Sequence, residues 1–211
     1  AQLEDFVKKN AGKAEGALAA AELARVTSFH AQAILATAMR EDDNRSRHEK
    51  ARPAEAMFQQ AAKDLQAALK ALDAAAQNPA FEKLKPQLAR EQANVRYELA
   101  INTYDQARTY IDKGKDAVNL ARAKLTEKAR IELTELRSDE SSEVGWLANA
   151  WLMKVGMEQT TPADVNKYYE FVMKRKDAPE FQPAIQPAVR LVRYFHIQDL
   201  TLPRPDEPET L

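Results

Sequence analysis

Through most of residues 54–136 an apolar side chain returns at every third or fourth position, and this period constrains the fold more than any other feature. At 3.6 residues per turn such positions share one face of a helix, whereas a strand would need strict alternation. From Ala54 to Ala76 the series is Met57/Phe58, Ala61/Ala62, Leu65, Ala68/Leu69 and Leu72. From Gln87 to Asp112 the apolar side is wider, with Leu88, Val95 and Leu99 on one flank and Tyr97, Ile101, Tyr104 and Ile111 on the next. A helix that is apolar on two flanks needs neighbours on two sides, so the pattern predicts a stack of helices.

The rest of the chain agrees. Ala, Leu, Glu, Lys, Arg and Gln dominate its 211 residues, only five glycines occur, and runs of β-branched residues are absent. These are strong helix formers, because they lose little rotamer freedom in a helix. The fold class read from the sequence is all-α. Leu3, Phe6 and Val7 suit the last turns of one helix, and Asn10 to Lys13 interrupts it. A helix over Ala14–Met39 follows, whose apolar face includes Leu18, Leu23, Val26, Phe29/His30, Ala33/Ile34 and Ala38, with many of its contacts expected from alanine, which lets helices approach closely. Glu41 to Arg52 is polar enough for a solvent loop or a frayed extension, and Pro53 suits the first turn of the 54–76 helix. Gly114 is read as the residue that stops the 87–112 helix, and Asp116 opens another, with Val118, Ala121, Leu125, Ala129, Leu133 and Leu136 in step. Helices over Glu143–Met157, after Thr161-Pro162 and up to Phe195 complete the core, with Thr161 as a capping hydroxyl. Residues 1–200 read as one helical domain, and the Pro-rich acidic residues 201–211 as a tail or linker.

Charge and composition exclude several classes. With 31 basic and 32 acidic residues the net charge is −1, which argues against nucleic acid as an obligate partner. The absence of cysteine removes disulfide frameworks and thiolate metal sites. No apolar run approaches the roughly 20 residues of a membrane span. The chain starts at Ala1, which fits an excised fragment or a removed leader.

Several segments resemble the tetratricopeptide-type helical repeat family. Phe58-Gln59-Gln60-Ala61-Ala62-Lys63-Asp64-Leu65 and the Ala68-Leu69 beyond it are similar to the second helix of that repeat. Tyr97-Glu98-Leu99-Ala100 resembles the first helix, and Tyr110 to Asp116 the turn between helices. Phe6 to Asn10, followed by an Ala-rich helix, looks like the join between repeats in bacterial envelope scaffolds. The resemblance covers residues 1–157 and departs in period. Helix pairs begin near 14, 87 and 143, whereas the family repeats about every 34 residues. It implies antiparallel helix pairs stacked as an α-solenoid, with an elongated helical bundle as the alternative, and it leans toward an exported bacterial protein.

No catalytic constellation occurs in the sequence. His30, His48 and His196 lie in no metal-binding frame, so no metal ligand or cofactor is expected. His30, beside Phe29, is read as a packing residue. Glu41-Asp42-Asp43 lacks calcium-loop spacing. Trp146 and Trp151, five residues apart, point in different directions, and one of them could anchor an interface. The functional expectation is a non-enzymatic scaffold that binds protein partners on a concave helical surface through Arg90, Asn94, Tyr97, Tyr104 and Trp146. The alternative is a structural bundle or coiled-coil spacer that self-associates. A strict heptad would favour that alternative, and the sequence reading ranks it second because the pattern drifts and is cut by Pro53, Pro79, Pro86 and Gly114.

Overall fold

The computed structural model describes residues 2–111, 116–159 and 161–201, with residue 201 described by its backbone alone. Among them are eight α-helices and no strand: α1 (Gln2–Lys9), α2 (Ala14–Ala38), α3 (Asn44–Gln77), α4 (Lys85–Arg108), α5 (Asp116–Leu136), α6 (Glu143–Glu158), α7 (Pro162–Met173) and α8 (Gln186–Thr201). Short 3-10 turns precede α4 and α8. The chain, read from the sequence as one helical domain over 1–200, divides into two compact units, residues 1–132 and 133–211. Gly114 and the tail from residue 202 lie outside the described residues.

In the first unit α1 packs on α2, α2 pairs with α3, and α4 lies against both α2 and α3. The α2–α3 pair is antiparallel. Ala14, Ala17, Ala21 and Ala24 cluster with Leu65, Ala68, Leu72 and Ala75, while Ala31, Leu35 and Ala38 cluster with Ala51, Ala54 and Phe58. Both buried seams step by three and four residues without a slip. On α2 the seam is Ala14, Ala17, Ala21, Ala24, Ser28, Ala31, Leu35 and Ala38; on α3 it is Ala51, Ala54, Phe58, Ala61, Leu65, Ala68, Leu72 and Ala75. That is a strict heptad. Alanine occupies every seventh position from Ala17 on α2 and from Ala54 on α3, so the two backbones can approach closely.

This seam corrects two expectations. Of the residues expected to form the apolar face of α2, only Ala38 is buried. Leu18, Leu23 and Ile34 are half-buried, and Val26, Phe29, His30 and Ala33 are exposed. Alanine makes most of the α2 contacts, as expected, but the large side chains expected beside it lie off the buried line. Likewise α3 begins at Asn44 and runs straight through Pro53. Asp43 caps it by accepting from the Ser46 amide at 2.9 Å. Arg47 Nε donates to the Glu41 carbonyl at 2.6 Å, and Lys50 pairs with the Glu41 carboxylate at 2.6 Å. Burial of Ala51 and Ala54 extends the seam and outweighs the missing proline donor.

In the second unit α6 packs against α7 and α8, which also touch each other. Gly145 opens α6, and a Cβ there would stand 1.9 Å from the Asp139 carbonyl oxygen, so only glycine fits. Gly16 at the start of α2 meets the Asn10 carbonyl in the same way, at 2.1 Å. The expected Thr161 cap is not formed. The Thr161 hydroxyl instead donates back to the Gly156 carbonyl at 3.2 Å.

Candidate functional site

The α2–α4 contact is polar where the α2–α3 contact is apolar. Arg25 lies 9% exposed on α2. Its Nε donates to Glu98 at 2.6 Å, Nη1 donates to Glu22 at 2.6 Å, and Nη2 donates to Glu91. One turn on, Ser28 Oγ donates to Asn102 Oδ1 at 3.2 Å, and the Asn102 amide donates to the Phe58 carbonyl of α3 at 2.9 Å. One further turn on, Gln32 Nε2 donates to Asp105 Oδ2 at 2.9 Å, and Arg108 pairs with Asp105 Oδ1 at 3.2 Å. The partners rise together along both helices, so α2 and α4 are parallel. Glu91, Glu98 and Asp105 recur every seven residues on α4, in register with Arg25 and Gln32 on α2.

The electrostatics follow from one guanidinium among three carboxylates. Burial works against the charge of Arg25, but the hydrogen bonds and charges of Glu98 and Glu91 prevail and hold its pKa above the ordinary value. Burial raises the Glu98 pKa despite Arg25, and repulsion from Glu91 and Glu22 adds to that. The two shifts have different causes: on Arg25 the facing carboxylates of Glu98 and Glu91 outweigh burial, whereas on Glu98 burial outweighs the guanidinium. Burial also raises Asp105, opposed by the charge of Arg108 and the hydrogen bond from Gln32.

The expected partner-binding residues divide between surface and core. Arg90, Asn94, Tyr97, Ile101 and Tyr104 follow one stripe of α4 at alternating spacings of four and three. Arg90 is exposed and Asn94 and Tyr97 are half-buried, whereas Ile101 is 7% and Tyr104 1% exposed. Asn94 donates to Glu91 at 3.1 Å. The Arg108 guanidinium stands 5.8 Å from the Tyr104 ring centroid. Trp146 belongs to the second unit and is fully buried. Its indole donates to the Glu140 carbonyl at 2.8 Å, and its ring centroid lies 4.9 Å from that of Phe181 and 5.7 Å from that of Phe171. Tyr104 and Trp146 are therefore core residues, unavailable to a partner in this structure. Trp151 is half-buried, edge-on to Phe195 at 5.5 Å.

Sequence reasoning missed the exposed apolar side chains. Val26 is 60% and Phe29 61% exposed on α2, Tyr194 56% and Ile197 60% on α8. The α2 pair could have been found by noticing that alanine already fills a complete heptad on the opposite side. Among the described residues no group of three or more His, Cys, Asp or Glu could hold a metal ion, and no helix is long and apolar enough to cross a membrane. No protein-family model matches the chain, and comparison with curated proteins and with solved structures gives no match either.

Proposed function

We propose that this protein is a non-enzymatic structural module that works by protein–protein contact, a helical coiled-coil spacer that offers an outer helix face to another polypeptide. The observation that carries this reading is the inverted arrangement of α2, which buries alanines and leaves Val26 and Phe29 in solvent. Valine and phenylalanine rank with the most frequently buried residues, so leaving both out on one helix face is informative. The interior polar groups support the same reading. Arg25, Asn102 and Asp105 are each engaged with side chains or backbone of neighbouring helices, where they fix register.

A second reading keeps the scaffold but moves its surface. Arg90, Asn94 and Tyr97 line the open half of the α4 stripe, and a tetratricopeptide-like solenoid would present such a stripe to a bound peptide. That surface is smaller than the sequence suggested, because Tyr104 and Trp146 are withdrawn from it.

Photo-crosslinking residues at position 26 and, separately, at position 90, in the cell that makes the protein, test both readings. Protein adducts at position 26 are expected under the first and at position 90 under the second. Absence of protein adducts at both positions overturns the scaffold proposal.

A further inference from the structure

The outward stripe of α2 runs Glu22, Val26, Phe29, Ala33, Ala36, Arg40, and all six residues are exposed. Met39, which follows α2, keeps helical backbone angles, and the Arg40 amide donates to the Thr37 carbonyl at 3.2 Å, so the chain makes one tightened turn and Arg40 lies just past the helix end. The spacing is four, three, four, three, four, which reads the same in both directions. The chemistry is complementary about the middle. An acid stands at one end and a base at the other, and the two large apolar residues precede the two small ones.

We infer that this stripe is a self-association surface, on which α2 of a second copy packs antiparallel about a twofold axis at the level of residue 31. In that register Glu22, 64% exposed although its Oε1 accepts from Arg25, meets Arg40 of the second copy, Val26 meets its Ala36, and Phe29 meets its Ala33. Each contact occurs twice, as an isologous interface requires. A phenylalanine over an alanine fills the space between two helices without a clash, and each helix end gains an ion pair. A parallel pairing would instead set Phe29 on Phe29 and Glu22 on Glu22. The large-on-small, acid-on-base pattern therefore selects the antiparallel copy. One helix pair lies below the roughly 1,200 Å² of standard interfaces, so the dimer is concentration-dependent. This inference rests on the protein-contact reading above and names its partner.

Sedimentation equilibrium of the full chain over about 5 to 500 µM tests it, a range suited to an interface of this size. Reversible dimerisation is expected. Phe29→Asp should weaken it on the order of a hundredfold, because each dimer loses two buried rings and gains two desolvated charges. Arg40→Glu should weaken it more than Arg40→Gln does, and equal effects of the two would remove the ion pair from the interface. A chain that stays monomeric throughout, or a dimer indifferent to Phe29→Asp, overturns the inference. Because the protein has no cysteine, direction is read separately. A mixture of F29C and A33C chains should form the mixed disulfide faster than either forms its own, and preference for the A33C homodisulfide overturns the antiparallel register. Protein adducts at position 26 that contain only other proteins would defeat the self-association while leaving the scaffold reading intact.

Discussion

Arg25 and Glu98 face each other across the α2–α4 seam with Nε and Oε1 2.6 Å apart, and their side chains are only 11% and 23% exposed. A planar guanidinium with five donors can serve Glu22, Glu91 and Glu98 at once, which a lysine ammonium cannot do in the same geometry. This cluster holds α4 parallel to α2, in a unit whose other main seam is made of alanine.

Removing that arginine should therefore cost more than an ordinary surface ion pair. Arg25→Ala leaves the half-buried Glu91 and Glu98 without their shared counter-charge and is expected to destabilise the first unit by about 3 kcal/mol. Arg25→Lys should recover only part of the loss. Urea unfolding followed by circular dichroism checks both. A loss of less than about 1 kcal/mol for Arg25→Ala would mean that the cluster behaves as a solvent-screened pair.

Asp105 gives a pH dependence with a defined sign. Burial raises its folded pKa above the ordinary 3.8. Between that value and the raised one, the folded state binds more protons than the unfolded state, so the contribution of Asp105 to stability falls as pH rises. Asp105→Asn removes this titration and keeps an acceptor for Gln32. The variant should gain on the wild type as pH rises through that window and then run parallel to it. Asp139 shifts the other way, held low chiefly by the Ser141 side chain, and its contribution is lost in acid. For this reason the difference between Asp105→Asn and wild type is the quantity to read, by denaturant titration from about pH 3 to about pH 8.

The alanine seam leaves no room for a longer side chain. Ala24→Leu or Ala61→Leu should destabilise by about 1–3 kcal/mol through overpacking. Phe29→Ala, at a larger but exposed residue, should stay within about 0.5 kcal/mol when measured well below any dimer concentration. Thermal melts of the three variants rank them, and a larger loss at Phe29 than at Ala24 would contradict the seam.

Pro53 sits inside α3, where its ring removes one backbone donor and crowds the carbonyl of Glu49. Pro53→Ala is expected to stabilise by about 1–3 kcal/mol, within the known proline penalty of helix interiors. Hydrogen exchange should show the largest added protection over residues 44–53. No change there would mean that the first turns of α3 form independently of the rest of the helix.

In the second unit Trp146 ties α6 to the α7 end through Phe171 and Phe181. Trp146→Ala should cost about 3–5 kcal/mol and lower the melting temperature of this unit. A mild effect would return Trp146 to the list of surface residues that the structure removes it from.

The helices themselves were legible in the sequence, and so was most of the α3 seam. Phe58, Ala61, Leu65, Ala68 and Leu72 are buried where the period placed them, and Leu133 and Ala129 of α5 likewise. The candidate site was legible only in part. Arg90, Asn94 and Tyr97 share the expected stripe, but helical phase alone cannot say which half of a stripe is covered, and Ile101 and Tyr104 are buried one and two turns beyond Tyr97. Alanine contacts were legible on α2, but not their heptad, because alanine occurs on several faces of that helix and carries little hydrophobic weight by itself.

By itself, then, the sequence determined an all-helical chain, because local propensity and a 3.6-residue period are properties of neighbours along the backbone. Only tertiary structure decided which face of α2 turned inward. Two alanine heptads facing each other permit a close approach that neither helix could show alone, and that approach puts Val26 and Phe29 outside. The partners of Arg25, Ser28 and Gln32 were decided the same way, since Glu98, Asn102 and Asp105 reach them only once α3 has brought α4 back alongside α2.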